Sequence, residues 1–203
     1  MKKVEGDDGM KKLVNFRIES EIWEAFKLKF GETGISAKLR ELILQSLNGT
    51  SNEVMVKKLD WRALEKIVFA DDVPIQVVGN VGIGKSLTVK ELIKNDKSHI
   101  YIVFDAHNEY DFLPEVQMIS QEIKQSSRIV LPKQVSASIG LFPVYANQIL
   151  SQRWNTNFVF VIEEAHRYAE SKLLLKEARK FAKVITISQE PLVNFCPVVK
   201  IVS

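Results

Sequence analysis

Gly79-Asn80-Val81-Gly82-Ile83-Gly84-Lys85-Ser86 follows the pattern G-x-x-x-x-G-K-[ST], with the apolar run Ile75 to Val78 before it and a helical pattern from Leu87 to Lys94 after it. Residues of these types at this spacing can hold a polyphosphate. Gly79, Gly82 and Gly84 let the backbone turn and come close without a Cβ in the way. Their N–H groups can then face an anion at a helix N-terminus, where the macrodipole favours negative charge. Lys85 is suited to reach the β- and γ-phosphates as a point charge, and the Ser86 hydroxyl to ligate a magnesium ion that bridges them. The segment is therefore expected to bind ATP and Mg2+ through Gly79, Asn80, Val81, Gly82, Ile83, Gly84, Lys85, Ser86 and Leu87. The competing account, a glycine-rich turn with an incidental lysine, leaves the full spacing and both flanks unexplained.

Phe158-Val159-Phe160-Val161-Ile162 delivers Glu163 and Glu164 to the end of an apolar strand. Beside a phosphate loop, two adjacent carboxylates divide the work. The first holds magnesium, usually through water, and the second polarises the water that attacks the γ-phosphate. Glu163 is expected at the metal with Ser86, and Glu164 at the water. The alternative is that both cap a strand end and face solvent, as acidic pairs often do. His99 and His107 share no metal-like spacing with a cysteine or another histidine, so no zinc site is expected.

These residues need elements to position them. Strand signals recur at Ile75 to Val78, His99 to Phe104, Arg128 to Leu131, Phe158 to Ile162, Val184 to Ser188 and Val198 to Val202, with helical patterns between. Such alternation predicts an α/β fold, a mostly parallel sheet with helices on both faces. Ligands then sit at the C-terminal ends of the strands. Leu59 to Phe69 reads as a helix leading into this sheet. At 203 residues, 46% hydrophobic and 26% charged, the chain has room for one ordinary globular domain and a small module. The net charge of +3 is too small to argue for nucleic acid by itself. Cys196 stands alone in an apolar stretch, no run approaches the ~18 residues that span a bilayer, and no signal-peptide pattern opens the chain. A cytoplasmic protein with no membrane contact is expected.

The segments Ile162-Glu163-Glu164-Ala165-His166-Arg167, Phe104-Asp105-Ala106-His107-Asn108-Glu109-Tyr110 and Ile187-Ser188-Gln189-Glu190-Pro191, in that company, resemble the HerA/FtsK superfamily of DNA-pumping ATPases. In that family the second strand ends in an Asp-x-x-Gly-Glu-Tyr-like segment, a later motif is Asp-Glu-Ala-His-like, and a further strand ends in Ser/Thr-Gln-x-Pro. The resemblance covers roughly Val73 to the end and implies a RecA-like P-loop ATPase domain over residues 59–203, rings (hexameric) and double-stranded DNA as partner. It implies that Gln189 senses the γ-phosphate, completing a catalytic set of Lys85, Glu163, Glu164 and Gln189. Asp105 and Glu109 would support the site. Glu163 stands where the family has Asp, lengthening the arm by one methylene, and Asn108 replaces its glycine. His166 either couples the site to DNA or packs at a strand end. Arg153, Arg167 and Arg179 are the candidates for a finger into a neighbouring subunit's site. Two-domain helicases share the Glu-Glu-Ala-His box, but need a second nucleotide-binding domain for which this length has no room.

Upstream, Lys12 to Ile18 alternates with Val14, Phe16 and Ile18 on one face, and two helical patterns follow, from Ser20 to Phe30 and from Ser36 to Leu47. A strand and two helices cannot bury enough apolar surface alone, so residues 1–48 are expected to dimerise. The pattern resembles the ribbon-helix-helix DNA-binding proteins. That likeness implies base reading by Leu13, Asn15 and Arg17, and a phosphate clamp around Ser36 to Lys38. The same pattern also suits a β-α-α dimerisation module without DNA contact. Residues 49–58, with turn-forming Asn-Gly-Thr-Ser-Asn-Glu, read as a linker. The expected function is a DNA-directed, magnesium-dependent ATPase serving translocation, packaging or partition. The alternative is an ATP-gated transcriptional or copy-number regulator with little or no hydrolysis.

Overall fold

A strand that is apolar at every position is satisfied only where both of its faces are covered. Phe158-Val159-Phe160-Val161-Ile162 is such a strand, and all five residues are buried. It lies inside a seven-stranded sheet whose order is β1-β7-β2-β6-β5-β3-β4. The structure is a computed structural model that describes residues 53–70, 73–177 and 182–203. The chain divides into two units, residues 1–48 and 49–203, and the second holds this sheet. Its elements are β1 (Glu53–Lys57), α1 (Trp61–Val68), β2 (Ile75–Val78), α2 (Lys85–Asn95), β3 (Ile100–Asp105), β4 (Ser127–Val130), α3 (Val135–Ser151), β5 (Phe158–Ile162), a 3-10 turn (Ala165–Arg167), α4 (Glu170–Glu177), β6 (Lys183–Ser188) and β7 (Val198–Val202).

Every pairing is parallel, so the sheet is fully parallel rather than mostly so. Alternation along β5 divides the core. Val159 and Val161 join Leu64 and Val68 of α1 and Val89, Leu92 and Ile93 of α2 on one face. Phe158, Phe160 and Ile162 join Phe142, Ala146 and Ile149 of α3 and Leu174 of α4 on the other. Helices thus cover both faces, and burying each such aromatic or aliphatic side chain stabilises the fold by about 1.5–3 kcal/mol.

One strand departs from the sequence expectation. Residues 53–57, read as the end of a linker, form β1 and pair with β7 from Glu53↔Val198 to Lys57↔Val202. Only Val56 of the five is buried. The segment carries almost no core-facing pattern, and the ladder of a strand far away in sequence holds it. The strand and helices expected over residues 12–48, with Leu13, Asn15, Arg17, Ser36 and Lys38, lie outside the described residues, as does Arg179.

The order of strands decides what meets at the sheet's C-terminal edge. Register runs Val78↔Ser188 between β2 and β6, Ile162↔Thr186 between β6 and β5, and Phe104↔Ile162 between β5 and β3. Segments far apart in sequence therefore end side by side: the glycine loop after β2, Gln189 after β6, Glu163 after β5, and Asp105 closing β3. Among the described residues no helix is long and apolar enough to cross a membrane.

Candidate functional site

The glycine loop is shaped by backbone that only glycine adopts readily. Gly79, Gly82 and Gly84 have φ of 150°, 77° and 104°. A Cβ on Gly79 would lie 3.1 Å from the Ile201 carbonyl oxygen, so β7 itself walls the loop. Gly84 opens α2, and no side chain caps the helix there. The Lys85 ammonium bends back across the loop, donating to the carbonyls of Gly79 at 2.8 Å and Asn80 at 3.0 Å. Val81 stands 78% exposed at the loop tip, Ile83 packs against the core, and Leu87 is exposed on the first turn of α2.

Facing this loop is Glu163, only 4% exposed. The Tyr110 hydroxyl donates to its Oε1 at 2.5 Å. Burial pushes the Glu163 carboxyl above the usual carboxylate range, and the hydroxyls of Tyr110 and Ser86 offset this only in part. Nearby Glu109 and Glu164 push it further in the same direction. The Tyr110 hydroxyl, enclosed beside that carboxylate, is itself held well above its ordinary value by burial and by the Glu163 charge. Ser86, on the first turn of α2, and Glu163, just past the end of β5, are thus side-chain neighbours. The pair is a hydroxyl oxygen and a poorly compensated carboxylate, and this donor chemistry fits a hard divalent cation that keeps several waters. Among the described residues no group of three or more His, Cys, Asp or Glu side chains could hold a metal.

Glu164 takes a left-handed backbone conformation, φ 51°, which costs a non-glycine residue roughly 1–2 kcal/mol. That turn aims its carboxylate at three basic side chains. Arg167 Nη2 is 3.2 Å from Oε2, His166 Nε2 3.5 Å from Oε2, and His107 Nε2 3.7 Å from Oε1. Arg167, a candidate finger for a neighbour, therefore engages its own Glu164. Arg153 lies beyond the end of α3, just before β5 begins, at the opposite edge of the sheet; its carbonyl accepts from Gln121. Gln189 is exposed at the end of β6, between the loop and Glu163, and the Ser188 hydroxyl pins the next turn by donating to the Glu190 carbonyl at 2.6 Å.

The acidic residues at the end of β3 and just beyond it hold the loop together. Asp105 is fully buried and accepts the N–H groups of His107, Glu109 and Tyr110 at 3.3, 2.9 and 2.9 Å. Arg128 Nη1 reaches Asp105 at 3.3 Å and Asn108 Oδ1 at 2.7 Å. This lattice of bonds directs Tyr110 onto Glu163. Glu109 turns outward to Lys90 on α2 at 2.7 Å. Two further site residues carried no motif signal. Arg128 sits on the edge strand β4. Gln76, buried in β2, fixes the segment after Gln189: its Oε1 accepts the N–H groups of Leu192 and Val193 at 2.7 and 3.0 Å, and its amide donates to the Val193 and Cys196 carbonyls. A glutamine inside an apolar strand was the only available signal, since a buried amide must find partners.

Comparison with known proteins returns no matching family model, curated protein or solved structure.

Proposed function

We propose that residues 59–203, with β1 at their edge, are a magnesium-dependent ATPase of the HerA/FtsK type on a RecA-like sheet, tethered to DNA by a ribbon-helix-helix module in residues 1–48. The observation that carries this reading is the meeting of Ser86 with buried Glu163 beside a loop of G-x-x-x-x-G-K-S sequence. Magnesium would be held by Ser86 and Glu163, and when bound supplies charge neutralisation at the β- and γ-phosphates. Lys85 leaves the loop carbonyls for the phosphates, the backbone N–H groups from Gly82 to Leu87 enclose them, Glu164 orients the attacking water, and Gln189 contacts the γ-phosphate. Tyr110 holds Glu163 in place through its hydroxyl.

Hydrolysis should be measured with and without duplex DNA for the wild type, Lys85→Ala and Glu164→Gln. The wild type is expected to turn over ATP, faster with DNA, and both variants to lose at least about 100-fold. A wild type as inactive as the variants overturns the enzyme reading. Arg17→Ala should weaken DNA binding by about 1–3 kcal/mol and leave DNA-free hydrolysis unchanged.

One observation favours the second reading, an ATP-gated regulator with slow hydrolysis: Glu164 is engaged by Arg167 rather than free to hold water. A footprint at one discrete palindromic site, with negligible turnover, would support that reading over a motor.

A further inference from the structure

We propose that Lys58, in the turn after β1, is a further binding residue of the nucleotide site, contacting the α-phosphate end of the bound nucleotide. The inference rests on the nucleotide-binding reading above and extends it to a residue outside the glycine-loop motif.

Parallel pairing brings the end of β1 to the edge of the sheet that carries the loop, and the Lys58 N–H continues the ladder by donating to the Val202 carbonyl at 2.8 Å. Leu59 then turns through a left-handed conformation, φ 68°. Its N–H donates to the Thr88 hydroxyl at 3.0 Å, and that hydroxyl donates to the Gly84 carbonyl at 2.9 Å. The turn is thereby stitched to the first turn of α2. The Lys58 stem lies across Gly84: a Cβ there would be 2.9 Å from Lys58 Cγ and Cε and 3.0 Å from Cδ. The stem thus leads from the end of β1 to the last glycine of the loop, next to Lys85 in sequence.

Electrostatics make this placement informative. The N-terminus of a helix is the positive end of its macrodipole, so a lysine packed there is unfavourable unless an anion arrives. No carboxylate among the described residues forms an ion pair with Lys58. The Lys58 stem and Lys85 therefore both lie at the start of α2, where the phosphate loop would bring a polyanion.

Geometry also assigns the part of the ligand. Ser86 and Glu163, which mark the metal and γ-phosphate side, lie toward β5, whereas Lys58 approaches from β1 and β7 on the other flank of β2. Lys58 should meet the nucleotide far from the bond that breaks. It is then a residue of affinity rather than of turnover, serving ATP and ADP alike.

The test is equilibrium binding of a fluorescent ADP and of ATP to the full chain, with steady-state hydrolysis alongside, for Lys58→Met, Lys58→Arg and Lys85→Ala. Lys58→Met keeps the stem over Gly84 and removes the charge. It should weaken ADP and ATP by about ten-fold, raise KM in proportion and leave kcat within about two-fold. Lys58→Arg should restore most of the affinity. If Lys58→Met binds as the wild type does while Lys85→Ala loses binding, the stem only packs and the proposal falls while the nucleotide site stands. If the wild type binds neither nucleotide, the underlying reading falls with it. A loss confined to kcat would also overturn the assignment.

Discussion

Asp96 and Glu163 are buried carboxylates at opposite edges of one sheet, 6% and 4% exposed, and they are housed in different ways. Asp96 precedes β3. It accepts from the Tyr101 hydroxyl at 2.6 Å and the Ser98 N–H at 2.7 Å, and lies 2.7 Å from His99 Nδ1. Burial by itself raises its pKa, yet Tyr101, Ser98 and His99 together outweigh that and hold the carboxyl below its ordinary value. His99 is in turn fixed by stacking on Phe69, ring centroids 3.8 Å apart. Glu163 has two hydroxyl partners and two acidic neighbours, and burial wins. The first edge closes its charge within the fold. The second leaves a charge that an added cation would compensate, as sites that bind or catalyse do.

Exchanging each carboxylate for its amide sharpens this contrast most. Glu163→Gln should reduce Mg-dependent hydrolysis by at least about 100-fold while leaving thermal stability unchanged or raised by about 1 kcal/mol, since it removes a buried, poorly compensated charge. Asp96→Asn should do the reverse, costing about 1–3 kcal/mol of stability with kcat unchanged. Paired unfolding curves and turnover assays measure both. Equal destabilisation by the two would erase the distinction between the edges.

Acid titration sharpens it further. A carboxylate whose folded pKa is depressed stabilises the fold above the ordinary carboxylate pKa of about 3.9 and loses that contribution as pH falls through the folded value. The stability gap between wild type and Asp96→Asn should therefore be full at neutral pH and close in acid. A gap that is constant with pH would show that Asp96 acts without its charge.

Arg128 links β4 to the loop that aims Tyr110. Arg128→Met should cost about 2 kcal/mol by leaving buried Asp105 with one charged partner fewer, and should lower turnover through displaced Tyr110 rather than through lost substrate contact. KM should then change little while kcat falls. The smallest effect belongs to Glu109→Gln. Its pair with Lys90 is partly exposed, so the expected loss is below about 1 kcal/mol.

Much of the fold was legible because the strands are short, predominantly apolar runs: Ile75–Val78, Phe158–Ile162 and Val198–Val202 were bounded from sequence as they stand in the structure. β1 was not, because Glu53-Val54-Met55-Val56-Lys57 owes its conformation to β7 rather than to its own pattern. In the site, residue types and spacing identified the glycine loop and the Glu163-Glu164 pair. Partners set by distant pairing escaped: Arg128 with Asp105, Gln76 with the segment after β6, Tyr110 with Glu163, and the three basic side chains around Glu164. Nothing local in the chain encodes which hydroxyl meets which carboxylate across a parallel sheet.

The central claim is that Ser86 and Glu163 form the cation half of a nucleotide site whose other half is the glycine loop. Titration of a fluorescent ATP analogue, with and without Mg2+, against wild type, Lys85→Ala and Glu163→Gln tests it most directly. Mg2+ should tighten binding to the wild type, Lys85→Ala should lose binding under both conditions, and Glu163→Gln should bind without Mg2+ as the wild type does but gain nothing from adding it. A wild type that does not bind, or a Glu163→Gln variant that keeps the full Mg2+ effect, would contradict it.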